Sequence, residues 1–210
     1  NVDVAWDLGQ ELARKYPDRN QRAERIFTFV RDRVVYTSDR GQFGTDEYAQ
    51  NADEVAATIV KSRSAKGDCE DSSILLAIMY KAAGYRSAVV LVPGHVATLV
   101  HLPDYKKAPR KLMLGGEPGW VWAEATGATN PFGWVPEAQL DGPIFAREIM
   151  DGELRARTSG AAEVTPERVP PPGGPGGAAG TGLWTLFGVG GLLWVMAGRR
   201  GSMRGRGKRR

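Results

Sequence analysis

The chain has 210 residues, 42% apolar and 25% charged. That suffices for one ordinary domain and an appendage, and excludes a disordered or polytopic membrane chain. Its one cysteine excludes an intrachain disulfide framework and a Cys-rich zinc site. Seven of the 28 basic residues lie in 199–210, leaving 21 against 24 acids in the rest. The net +4 is therefore a tail property, and a nucleic-acid-binding body is excluded.

The chain opens on Asn1 with no basic-then-apolar leader after it, which reads as a piece of a longer chain or a processed end. Residues 3–16 place Val4, Leu8 and Leu12 four apart, predicting a helix that Pro17 ends. A second helix is expected from an Asn20 cap, carrying Ala23, Ile26, Phe27 and Val30 inward. It leads into the strand-like VVYT and a polar loop over 37–50. Asn51 or Asp53 then opens a short helix containing Val55, Ile59 and Val60.

The central segment is GDCEDSSILLAIMYKAAG, residues 67–84. Asp68 is the expected N-cap with Asp71 three residues on, and Gly84 is placed to end the helix. Ile74, Leu75, Ile78 and Met79 form its apolar face. Strand-like runs follow at Ser87–Val92, His95–Leu102 and Trp120–Thr126, with 111–114 as another. The pattern is mixed α and β.

Beyond Val169 the composition changes. Ten of the fourteen residues from Val169 to Gly182 are Pro or Gly, the composition of a linker. Residues 178–198 carry no charge, and 21 helical residues span roughly 30 Å, a bilayer's hydrocarbon thickness. Trp184 and Trp194 lie toward its ends, and the basic tail beyond it fits the positive-inside rule. The expected organisation is a domain over 1–165 (core 20–140), a linker over 166–182, a transmembrane helix over 183–198 and a cytoplasmic tail over 199–210. The domain would then lie outside the cytoplasm. A phosphate-binding tail and a cleaved sorting signal are the competing uses of this end, although no LPxTG-like motif precedes the apolar run.

Cys69 stands at the first position of the central helix, where unpaired N–H groups and the helix dipole favour a thiolate. Asp68, Glu70 and Asp71 oppose that, so a base is required; a buried inert thiol is the competing reading. The two histidines, His95 and His101, share one predicted strand, roughly 20 Å apart along it, so only one can serve the thiol. Glu124 on the next strand is the available carboxylate. Cysteine, histidine and carboxylate together supply nucleophile, base and orienting group. Metal ligation lacks CxxC and HExxH spacings, and no phosphate loop, dinucleotide fingerprint or GxSxG elbow is present. No metal or cofactor is expected.

The segments FVRDRVVYTSD (29–39), GDCEDSSILLAIMYKAAGYRSAVVLV (67–92), GHVATLV (94–100) and WVWAEATG (120–127) resemble the transglutaminase-like superfamily, whose papain-like core implies an α+β fold of N-terminal helices packed on an antiparallel sheet. The resemblance implies Cys69 as nucleophile, His95 as general base and acid, and Glu124 as orienting carboxylate. Glu124 stands where aspartate is usual, and Val96-Ala97-Thr98 replaces the common aromatic after the histidine. The activity implied is acyl transfer or hydrolysis at an amide of a protein or peptide, through a thioester. Trp122 is a candidate cleft wall and Tyr36 a candidate second oxyanion donor. The alternative is a non-catalytic protein-binding domain of the same fold. Oligomeric state has no signature in the sequence.

Overall fold

The structure is a computed structural model that describes residues 2–44, 48–150 and 162–166. The chain divides into two units, Asn1–Val169 and Pro170–Arg210, and the described elements all belong to the first. Among the described residues no helix is long and apolar enough to cross a membrane. The expected membrane segment at 183–198 and its basic tail lie outside the described residues.

Five helices and eight strands follow one another. Helix α1 (Asp3–Lys15) and α2 (Arg19–Arg31) precede β1 (Val34–Tyr36), the four-residue α3 (Asp39–Gln42), α4 (Ala52–Ser62) and β2 (Ala65–Gly67). The central helix α5 (Cys69–Ala82) leads to β3 (Ser87–Val92), β4 (His95–His101), β5 (Leu112–Leu114) and β6 (Glu117–Ala123). Strands β7 (Phe145–Glu148) and β8 (Ala162–Pro166) complete the set.

Several boundaries differ from the expectation. The cap of α2 is Asp18, whose carboxylate accepts from the Gln21 N–H, so the helix starts before Asn20. The polar stretch 37–50 contains α3, begun by Ser38. Strand β6 ends at Ala123, so Glu124 sits just past it rather than within a strand reaching Thr126. The sheet is a closed antiparallel barrel in the order β3-β4-β6-β5-β8-β7, not an open sheet, because β7 and β8 join its edges. Neither of those strands was expected. Strand β8 reaches Pro166, one residue into the expected linker.

Two apolar cores result. One fills the barrel with Ala88, Val90, Leu99, Leu112, Trp120 and Trp122. The other joins α2, α4 and α5 to the barrel's outer face through Val100, Val121 and Ala123. Helix α5 runs through the second of these: Leu75 through Tyr80 are all buried, so its apolar surface is wider than one stripe. It ends as its sequence predicts. Gly84 adopts φ +83°, and the Gly84 and Tyr85 N–H groups bond back to the Lys81 and Tyr80 carbonyls.

Close backbone approach fixes α1 against α5. A Cβ on Gly9 would stand 2.5 Å from the Met79 carbonyl oxygen, so only glycine fits there. At the other end of the domain, the two-residue turn Pro93-Gly94 sets the β3–β4 register by pairing Val92 with His95. Gly94 takes φ +72°, the left-handed conformation that glycine adopts cheaply. The sequence of that turn therefore decides where His95 stands.

Candidate active site

The start of α5 is built around buried carboxylates. Asp68 caps the helix and Asp71 completes the capping box, each side chain serving the other's end of the turn. Asp71 is 1% exposed and reaches further. Its carboxylate accepts from the Gln50 backbone N–H (2.7 Å), the Gln50 side-chain amide (2.7 Å) and the Asp68 N–H (3.2 Å). Gly67 makes room for this arrangement: a Cβ there would lie 2.8 Å from the Asp71 side chain. The G-x-C-x-D spacing is thus a packing requirement around the Asp71 carboxylate.

Cys69 occupies the first position of α5, partly exposed, with Sγ 3.5 Å from Glu70 Oε2. His95 opens β4 and donates from Nε2 to Glu124 Oε2 at 2.5 Å, a charge-assisted bond. With Nε2 committed to the carboxylate, Nδ1 is the ring nitrogen left for the thiol. Hydrogen bonding to Cys69 and then to Glu124 pushes His95 up to about 10, against the opposing effect of burial. The imidazole is therefore positively charged at neutral pH.

Glu124 is 3% exposed. Burial alone would raise its carboxyl, but hydrogen bonds from His95 and Thr126 outweigh it and hold the group below the usual glutamate range. The Thr126 hydroxyl and its backbone N–H both donate to Oε1, leaving Oε2 to the imidazole. Asn130 donates to the Glu124 carbonyl (3.4 Å), so the loop after β6 is tied at both ends of the residue. Thr126 and Gln50 were not singled out from the sequence. The AEAT spacing is the one signal for Thr126, since a hydroxyl two residues on can fold back to the carboxylate; nothing local signals Gln50, 21 residues from its partner.

The helix and the barrel are clamped beside this site. Ser73, one turn after Cys69, donates its hydroxyl to the Val96 carbonyl (3.1 Å), and Thr98 donates to the Ser73 carbonyl (2.8 Å).

The remaining sequence candidates separate. Tyr36 ends β1, paired with Gly67, and is 59% exposed. Burial of its hydroxyl, followed by the nearby Cys69 and Asp68 charges, raises it above its ordinary value, so the phenol keeps its proton. Trp122 does not wall an open cleft. It is fully buried in the barrel core opposite Leu99, because alternation along β6 turns it inward. His101 lies at the far end of β4, where Nε2 donates to the Pro118 carbonyl (3.1 Å) and the ring packs on Trp120.

Asp39, Asp68 and Asp71 bring carboxylate oxygens within 4.8 Å of one another, as do Asp68 and Glu70 with the Cys69 sulfur. Oxygen donors of the first set are of the kind hard cations take. Each already accepts an N–H: Asp39 from Tyr48, Asp68 from Glu70, Asp71 from Gln50. Crowding of these acids, with burial as the larger cause, pushes Asp68 up to about 6.

A helix-initiating cysteine lies beside a histidine from the antiparallel barrel, and that histidine is bonded to a buried carboxylate just past β6, all within an α+β domain of helices packed on a sheet. The sequence profile of the transglutaminase-like superfamily matches residues 7–137, and the chain belongs to that superfamily. The structure is also similar to Legionella pneumophila LapG, at 14% identity and a TM-score of 0.36, over 70% of this chain and 88% of that one. No curated protein sequence matches the chain.

Proposed function

We propose that this domain is a thiol acyl-transfer enzyme in which Cys69, His95 and Glu124 act as nucleophile, general base and acid, and orienting carboxylate. The observation that carries the reading is His95, bonded to Glu124 at 2.5 Å and held protonated by Cys69 and that carboxylate together. An inert buried thiol has no use for an imidazolium partner.

The Cys69 thiolate attacks the carbonyl carbon of an amide, and the electron pair moves to the oxygen. His95 gives its Nδ1 proton to the departing amine as the C–N bond breaks, leaving a thioester on Cys69. The neutral imidazole then takes a proton from water or an amine as that nucleophile attacks the thioester. Cys69 leaves as thiolate, and His95 is again an imidazolium. Glu124 keeps the ring oriented throughout and offsets its charge.

One backbone group at the helix start is left to serve an oxyanion. The Glu70 and Asp71 N–H groups are spent on the Asp68 side chain, and the Ser72 N–H bonds the Asp68 carbonyl. The Cys69 N–H, at the first helical position and with no hydrogen-bond partner among the described residues, is the backbone donor left for an oxyanion in this reading. The protonated Tyr36 phenol is the second donor in this reading.

The substrate is a protein or peptide amide, and the uncharged run at 178–198 with its basic tail tethers the enzyme to a membrane, its domain on the outer side. Trapping of an acyl group on Cys69 in native membranes tests the chemistry. A Cys69→Ala chain should fold, lose thiol labelling and lose turnover; wild-type turnover in it would sink the mechanism. Release of the full-length chain by salt alone, without detergent, would sink the tether.

A further inference from the structure

A groove of about 480 Å³ lies on the helical side of the domain, with none of the candidate active-site residues in its walls. Its apolar floor is made by Leu8 of α1, Phe29 of α2, and Ile59 and Val60 of α4. Ile59 is buried in the core and Leu8 and Phe29 are packed against it, while Val60, 62% exposed, is the floor residue outside the core. Arg33 and Arg63 stand at its edge.

The charges there are unbalanced. The one acid in the wall, Asp32, is held by Arg31 through Nε and Nη2, both at 2.8 Å. Arg33 lies over the Phe29 ring at 4.2 Å and donates from Nη1 to the Phe29 carbonyl (3.4 Å). Arg63 caps α4 with φ +68°, the one non-glycine residue at positive φ among those described. Glycine would take that conformation at less cost.

We propose that this groove is an exosite for an acidic peptide segment of a partner protein. An apolar side chain of the segment would sit on Leu8, Phe29, Ile59 and Val60. A neighbouring Asp or Glu carboxylate would be taken by the Arg33 and Arg63 forks, whose planar donors suit carboxylate geometry. A volume of this size suits a few side chains rather than a folded domain. The groove shares no wall residue with the candidate active site, so it would govern which protein is held and not how its amide is cut.

The test is a methyl NMR titration of the full-length chain in mild detergent, with the probe acetyl-Gly-Leu-Glu-Glu-Gly-amide. The Leu8, Ile59 and Val60 methyl signals should move saturably. The Leu-Gln-Gln and Gly-Glu-Glu versions of the peptide should bind at least tenfold more weakly, and high salt should weaken the first. Arg63→Gly relieves the positive φ without removing a core contact, and should weaken binding at least fivefold while leaving Cys69 alkylation unchanged. Equal binding by the Leu-Gln-Gln peptide, no effect of Arg63→Gly, or no saturable shift would each overturn the proposal. Movement of the same signals with protein concentration alone would assign the groove to a second copy and overturn it too. A Cys69→Ala chain should titrate as the wild type does, which keeps this test independent of the proposed catalysis.

Discussion

Thr98 of β4 donates its hydroxyl to the carbonyl of Ser73 on α5 at 2.8 Å, tying the strand that carries His95 to the helix that carries Cys69. Both residues are buried, and the Ser73 hydroxyl returns a bond to the Val96 carbonyl beside His95. The separation of thiol and imidazole is thus set by bonds one helical turn and three strand residues away.

Thr98→Val keeps the side chain's shape and removes this bond. Stability should fall by about 1 kcal/mol, the typical net worth of one buried hydrogen bond. Turnover should fall further than the lost stability explains, with kcat more affected than KM, as the thiol–imidazole separation relaxes. Denaturant unfolding beside steady-state kinetics checks both.

Glu124→Gln removes the charge opposite His95. The imidazolium should then lose its proton well below the present value of about 10, since Glu124 is the second-largest cause of that rise. Iodoacetamide labelling of Cys69 at pH 6 should drop at least tenfold, and turnover by about 10²- to 10⁴-fold, the range of positioned acid–base catalysis. The labelling rate measured against pH decides it.

The pair also shapes stability against pH. His95 is raised from its ordinary 6.5, so its contribution is full below that pH and is lost as pH rises through about 10. Glu124 is lowered from 4.5, so its contribution is full above that value and is lost on further acidification. Asp68, raised from 3.8 to about 6, is a cost above pH 6 that acidification relieves. Stability should therefore peak between pH 4.5 and 6.5. Urea midpoints across the pH range should show that peak in the wild type and a shallower acid limb in Glu124→Gln.

Gly9→Ala tests the contact between α1 and α5. Helix propensity alone would favour alanine by up to about 1 kcal/mol. The added Cβ would stand 2.5 Å from the Met79 carbonyl oxygen and 2.8 Å from the Ala82 Cβ, one of them backbone. Overpacking of this kind costs about 1–3 kcal/mol, so the net effect should be a lower Tm with Cys69 labelling intact.

Gly67→Ala strikes the site itself. Its Cβ would meet the Asp71 carboxylate at 2.8 Å, and Asp71 can yield only by giving up Gln50 or the Asp68 N–H. A loss of about 1–3 kcal/mol is expected, as each forfeited partner leaves a buried polar group unpaired. Turnover should fall with it, because the start of α5 positions Cys69; thermal unfolding and kinetics on one preparation compare the two.

Much of this was legible in the chain. The Asp68–Asp71 capping pair, the Gly84 stop and the span of β3 follow from local chemistry, because each is decided by residues within a few positions. The four buried positions predicted for α2 are all fully buried. His95 and Glu124, both singled out in the sequence, share one hydrogen bond.

What failed or was missed depended on distant partners. Trp122 faces the barrel core because β7 and β8 close a cylinder around it, and β8 pairs with β5 fifty or more residues earlier in the chain. Gln50 meets Asp71, and Thr98 meets Ser73, only after folding. By itself the sequence determined α1, α2, α4 and α5, the strands β3 and β4 and the cysteine at a helix start, since backbone preference and capping act over a few residues. Only the tertiary structure decided that the sheet closes, that Glu124 is buried with His95 as its partner, and that two arginines edge a bare apolar groove. Those depend on which surfaces are removed from water together, and no local preference encodes that.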